Sequence, residues 1–241
     1  MYQWRSGVKH DCVSVMELKP NEDGSYRNKL GEQVQLEPDH LFPFLKCSDL
    51  ANHRTTPDRV VLVTQRRVGE DTATIAANAP KTWRYLNSHR ALFEARKSSI
   101  YVGRMPFALF GIGDYTFAPW KVAVSGLHRT VHFALIGPVE GKPVLFDDTC
   151  YFLSFESEDE ARVVAAILNS TPCEQFLSSL LFPDSKRQVT VELLQRLNIH
   201  AIAAEAGLGR EWASARTQRV THHYEMASPQ AEFVMERPDT K

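Results

Sequence analysis

The feature that most constrains this chain is a change of character at Glu156. Before it, short β-branched and aromatic runs bounded by turn residues read as strands. After it, Ser157 and Glu160 form an S-x-x-E capping box and helical spacing takes over. Strands are expected at residues 12–18, 25–36, 59–64, 120–124, 130–136, 143–146 and 149–155, with 59–64 (RVVLVT) the clearest buried run. Residues 21–24 (NEDG) make a turn after the first strand, and 137–142 (GPVEGK) a hairpin turn between two later ones. The LFPFL run at 41–45 is apolar but interrupted by Pro43, so it reads as a buried loop or an edge.

Residues 80–97 form the best helix pattern. Pro80 suits a first turn, and Trp83, Leu86, Leu92 and Phe93 recur at helical spacing. The other face carries Arg84, Arg90, Arg96 and Lys97. Residues 161–168, 172–181 and 190–197 read as further short helices. The expected fold is α+β: a mixed β-sheet with one long helix in the first half and a short helical segment near the C-terminus. Residues 1–206 would form one domain, and 207–241 a polar, poorly ordered tail.

Composition excludes several classes. Hydrophobic residues at 43% and charged ones at 24% are the mix of an ordinary soluble globule. No run approaches the ~18 apolar residues of a membrane helix, and no apolar stretch follows the charged start. No membrane partner and a cytoplasmic location are therefore expected. Cys12, Cys47, Cys150 and Cys173 lie far apart without a CxxC pair, which favours reduced, mostly buried thiols over zinc or redox chemistry. Strand-like sequence directly after Met1 suits a clipped chain or gene fragment better than a complete enzyme.

The net charge of −1 hides a segregation. Between Arg54 and Arg104 ten bases stand against four acids, whereas from Glu140 to Glu160 seven acids stand against Lys142 alone. The basic segment is either a phosphate-facing surface or a solvated face without consequence.

Catalytic motifs are missing. An amino-methyltransferase of DNA needs a glycine turn for its methyl donor and a (D/N/S)-P-P-(Y/F) loop for the extruded base. The chain has 13 prolines, and no two are adjacent. Gly111-Ile112-Gly113 could be the glycine turn, but the residues that follow (DYTFAPW) do not suit a helix. Asp147-Asp148 fits a turn better than a metal pair, and His222-His223 has no partners nearby in sequence. Residues 183–186 (PDSK) hold two parts of a nuclease motif without the rest. No catalytic residue and no metal ligand is assigned.

A set of phrases carries more weight than any single motif. They are residues 6–11 (SGVKHD), 41–50 (LFPFLKCSDL), 85–86 (YL), 96–101 (RKSSIY), 110–122 (FGIGDYTFAPWKV), 146–152 (FDDTCYF), 168–170 (LNS) and 184–187 (DSKR). In this order, over residues 5–199, they resemble the C-terminal specificity region of adenine-N6 DNA methyltransferases of restriction–modification systems, including the TaqI-like specificity domain. That resemblance implies a region that grips duplex DNA and reads bases while a preceding catalytic half, absent here, holds S-adenosylmethionine and the target adenine. The implied partners are double-stranded DNA and a catalytic methyltransferase domain or subunit, with no cofactor in this chain itself.

Placed on the sequence, the DNA-binding candidates are Arg66 and Arg67 in the loop after 59–64, then Arg104, Tyr115 and Lys121 around the glycine-aromatic segment, and Lys186 and Arg187. Two other classes stay open: a nuclease or methyltransferase with an unrecognised site, and a protein-interaction domain on the same scaffold.

Overall fold

The computed structural model describes residues 2–128, 131–181 and 189–217. Its strands, in chain order, are β1 (Arg5–Ser6), β2 (Glu17–Pro20), β3 (Tyr26–Arg27), β4 (Gln33–Val34), β5 (Leu41–Leu45), β6 (Val60–Leu62), β7 (Trp120–Ser125), β8 (Ala134–Ile136), β9 (Leu145–Phe146) and β10 (Cys150–Phe155). Its helices are α1 (Val13–Met16), α2 (Cys47–Ala51), α3 (Ile75–Asn78), α4 (Pro80–Ser88), α5 (Arg90–Glu94), α6 (Glu158–Leu168), α7 (Thr171–Leu180), α8 (Val191–Leu194) and α9 (Ile199–Glu205). The fold is α+β with two sheets.

Period-two alternation decides the first sheet, which is antiparallel in the order β1-β10-β7-β8. Val122 and Val124 of β7 turn to one face, as do Tyr151, Leu153 and Phe155 of β10. Ala123, Cys150 and Phe152 turn to the other. Both faces are apolar, so both must be covered. Helices α6 to α9 cover the first through Val164, Leu168, Leu177, Leu194 and Ile202. Leu45, Leu50 and Phe146 cover the second. Each large side chain so buried contributes about 1.5–3 kcal/mol as an upper bound.

The second sheet runs β4-β3-β2-β6-β5-β9. All its pairs are antiparallel except β5 with β9. Leu86, Phe93 and Phe107 share one core cluster with Val61 and Leu62 of β6. Contrary to the expected loop or edge, β5 is an internal strand. Phe44 donates its N–H to Arg59 O, so Pro43 turns its nitrogen to the other side, where β9 pairs only with Phe44 and Leu45. The proline therefore breaks no ladder bond.

Three further expectations are corrected. Residues 12–18 begin as the turn α1, and only Glu17 and Leu18 of that run enter β2. The 137–142 turn forms, with Val139 and Lys142 exchanging both N–H bonds at 2.9 Å, but β8 and β9 then part to different sheets. The long helix at 80–97 is two helices, α4 and α5, broken at His89. There Ser88 Oγ donates to Tyr85 O, His89 Nδ1 lies 2.8 Å from the same oxygen, and His89 Nε2 lies 2.8 Å from Glu32 Oε2. Side chains that bond the helix's own carbonyls compete with its continuation.

The S-x-x-E box does start α6, with Ser157 Oγ accepting from Glu160 N. Past residue 206 the chain is helical again from 209 to 217. Trp212 packs on the helical core and Ala215 is buried, so packed structure extends into the expected tail. Residues 218–241 lie outside the described ones.

The sheets meet where backbones nearly touch. Val8 N donates to Phe146 O at 2.7 Å, Gly7 N to Cys150 O at 3.1 Å, and Lys9 exchanges both backbone bonds with Phe110. A Cβ on Gly7 would sit 2.1 Å from Asp147 O, and one on Gly111 2.1 Å from Gly7 O. Gly111 also has φ of 64°, a conformation glycine adopts without penalty.

Candidate nucleic-acid interface

The loop after β6 is built to hold its shape. Thr64 Oγ1 donates to Phe107 O at 2.7 Å and Gln65 Nε2 to Leu109 O at 3.0 Å, fixing the root of the loop. Beyond it, Glu70 Oε2 accepts the backbone N–H of both Arg66 and Arg67, at 2.6 and 3.1 Å. Gly69, at φ 89°, lets the chain turn back. The two arginines are thereby presented outward from a braced loop.

Their side chains meet the turn at Asp114–Phe117. The Arg66 guanidinium lies 4.3 Å from the Phe117 ring centre and 5.5 Å from that of Phe42, two cation–π contacts that fix it against an aromatic pair. Arg67 makes a two-pronged bond to Asp114, Nε to Oδ1 at 3.0 Å and Nη2 to Oδ2 at 2.8 Å. With about three quarters of each side chain exposed, at 72% and 76%, that pair is worth at most about 1 kcal/mol. A phosphate at Arg67 would compete with Asp114. Tyr115 is half-buried beneath Arg5, whose guanidinium is 4.4 Å from its ring centre. Burial raises the Tyr115 phenol above its ordinary pKa, with Arg5 working against it. The turn at Asp114–Phe117 thus meets three arginines, Arg5 on Tyr115, Arg66 on Phe117 and Arg67 on Asp114, with Glu70 bracing the loop of the last two.

Arg5 was missed by the sequence. It reaches Tyr115 because β1 pairs with β10, a contact between segments far apart in sequence with no local signature.

Arg104 is exposed on a different loop, before Phe107, and makes no ion pair among the described residues. Lys121 requires correction: it is 1% exposed, on the covered face of β7, and its ammonium donates to Ala118 O at 2.6 Å. Burial pushes it down to about 7, against a weaker upward pull from Glu156. It cannot touch phosphate. Lys186 and Arg187 lie outside the described residues, as do His222-His223 and the 183–186 stretch.

Part of the basic segment is engaged within the molecule. Arg54 and Arg59 both reach the buried carboxylate of Asp49, at 3.2 and 3.4 Å, and Arg90 pairs with Glu94. Arg96 donates to the carbonyls of Phe93, His10, Ala108 and Pro106. Elsewhere a carboxylate, Glu17, is buried under Lys46 at 2.6 Å and Lys29 at 3.0 Å. Burial alone would raise its carboxyl, but the two ammonium groups hold it below the usual range. His10, 3.7 Å from Glu17, is pushed down to about 4 by burial and is neutral at pH 7.

The chemistry-bearing motifs resolve into architecture. Gly111 is filled by the Gly7 carbonyl, a Cβ on Gly113 would meet the Tyr115 ring at 2.7 Å, and one 3-10 turn follows. The pair does not fit a donor cradle, which needs open backbone ahead of a helix. Asp147 Oδ1 accepts from Thr149 N and Oγ1 and from Cys150 Sγ, the bonding of a turn, while Asp148 pairs with Lys9. All four cysteines are free, and no cluster of three or more potential metal ligands occurs among the described residues. No described helix is long and apolar enough to cross a membrane.

No family model matches the chain. In the solved structure of the Type IIL restriction-modification enzyme MmeI in complex with DNA, a similar arrangement covers 96% of this chain and 34% of that one, at 11% identity and a TM-score of 0.44. The Type II methyltransferase M.NspV of Nostoc sp. (strain ATCC 29411 / PCC 7524) is 47% identical over 202 residues, which is 83% of this chain. The chain spans 42% of the length of that methyltransferase.

Proposed function

We propose that this chain recognises double-stranded DNA for an adenine-N6 DNA methyltransferase of a restriction–modification system. Methyl transfer, with its S-adenosylmethionine, is then the work of a catalytic domain or subunit outside this chain. The observation that carries the proposal is the 47% identity along 83% of the chain to a Type II methyltransferase of which it spans only 42%. The sequence supports the division of labour, since it has no proline loop to hold an extruded adenine. The surface of Arg5, Arg66, Arg67 and Tyr115 supports contact with the duplex. Braced cations lose little freedom on meeting phosphate, and a guanidinium already seated on aromatic rings can fork to a base edge.

The test is a fluorescence-anisotropy titration of this chain against a labelled pool of random-sequence duplexes at about 50 and 200 mM salt. Counterion release predicts that affinity falls at least about ten-fold between the two. Arg66→Ala should weaken binding and lower the log–log salt slope by about one. Affinity indifferent to salt would defeat the DNA assignment and favour a protein-interaction domain. Incorporation of label from S-adenosylmethionine into the same duplexes by this chain alone would defeat the division of labour.

A further inference from the structure

Residues 96–106 form a turn on a packed base, and its exposed tip is apolar. Its base is Arg96, which ties the carbonyls of Phe93, Pro106 and Ala108 together and lies 3.6 Å from the Tyr101 ring centre. Tyr101 is buried, edge-on to Phe110 at 5.4 Å. Above this anchor the chain makes a 3-10 turn at Ser99–Tyr101 and then a second reversal. Val102 N donates to Ser99 O and Arg104 N to Tyr101 O, both at 3.1 Å. Val102 has φ −63° and ψ 126°, and Gly103 has φ 69°, the pair of conformations that makes a type II turn. The tip is thus stiff and set on a packed base.

What the tip presents is apolar. Val102 is 80% exposed, the most exposed large hydrophobic side chain among the described residues, and Ile100 and Met105 flank it at 36% and 38%. Single exposed hydrophobics need no explanation, but three in six residues on one rigid projection do. In sequence Lys97 and Arg104 lie on either side of it, exposed and without an ion pair among the described residues, and the nearest acid in sequence, Glu94, is held by Arg90. An apolar point between two uncommitted cations matches a polyanion with an apolar slot: duplex DNA opened at a base step.

We propose that this turn is a wedge, with Val102 entering between adjacent base pairs while Arg104 and Lys97 hold the phosphates beside the opened step. The inference rests on the DNA assignment above and goes beyond it, because it states that recognition includes unstacking and names the side chain that does it. The surface around Arg66 reads or grips an intact groove; the wedge reads how readily a step opens.

The experiment uses this chain and a duplex enriched by it from a randomised pool, with 2-aminopurine placed at each position in turn. Its fluorescence rises when the base loses its neighbour. The wild-type chain should brighten one step several-fold. Val102→Ser should abolish that signal and weaken binding about ten-fold, with the salt slope and thermal midpoint unchanged because the side chain is in water. Val102→Leu should keep the signal, and Arg104→Ala should lower the slope by about one. Salt-dependent binding with no brightened position, or a Val102→Ser variant that unstacks like the wild type, overturns the wedge and leaves the DNA assignment standing. A Val102→Ser defect seen only in association with a catalytic methyltransferase domain overturns it in favour of a protein-docking turn. Salt-dependent retention of no duplex overturns both.

Discussion

A lysine in the middle of a strand reaches water only if its side of the sheet is bare. Lys121 shares its side with Ala123, which is covered by Leu45, Leu50 and Phe146, so its ammonium is confined to one bond with Ala118 O. Its pKa in the folded chain, about 7, lies below the ordinary 10.5. Between those values the unfolded chain binds the proton more, so the folded state gains stability as pH rises from about 7 toward 10.5. Lys121→Met should therefore stabilise the protein by about 1–3 kcal/mol at pH 7, with a smaller gain near pH 10. Denaturant midpoints at the two pH values check this, and DNA affinity should not change. Sequence could identify Lys121 as a cation within a strand. It could not show that both faces of that strand are covered, because the covering residues come from elements distant in sequence, among them β5 and α2 on one face and α6 on the other.

Helix ends are where distant residues do local work. Glu37, forty-odd residues upstream, accepts bonds from Lys81 N, Thr82 N and Thr82 Oγ1 at 2.6 to 2.9 Å and so caps α4. Burial pushes its carboxyl up, but the Thr82 hydroxyl and the two N–H groups outweigh it and bring it down to about 2. Its contribution is whole above the unfolded value of 4.5 and is lost as pH falls toward 2. Glu37→Ala should cost about 1–2 kcal/mol at pH 7 and almost nothing near pH 2, as read by urea unfolding at each pH. A destabilisation equal at both would mean the carboxylate is not the cap. Elements whose signals are local were legible: the Ser157 box, the β6 run and the 137–142 turn all form. Elements decided by partners were not. Pro43 fits in β5 because β9 stops short of it, and His89, at the break between α4 and α5, is also met by Glu32 from far upstream.

At the scale of the molecule, Gly7 and Gly111 govern how the sheets join, and Gly24, in an open turn, is the comparison. Gly24 and Gly111 both have positive φ, 77° and 64°, but a Cβ on Gly24 meets nothing within 4 Å while one on Gly111 strikes Gly7 O. Gly24→Ala should cost about 1 kcal/mol, the backbone penalty alone. Gly111→Ala should cost about 3 kcal/mol or more, or prevent folding, as measured by thermal or urea unfolding. Similar costs at both sites would show that the joint can yield. Of the candidate surface, Arg66, Arg67 and Tyr115 were legible and do converge, because the loop and the turn that carry them are short and polar. Arg5 was not, since it arrives from a segment distant in sequence.

The pairing of Arg5 with Phe152 sets an order of events during synthesis. A nascent chain emerges N-terminus first, so β1 waits without its neighbour until residue 152 has left the ribosome. The second sheet waits almost as long, because β5 gains β9 only when Leu145 and Phe146 appear. Neither sheet can be finished before residues 145–152 are made, and until then their unpaired strand edges are open to wrong pairing.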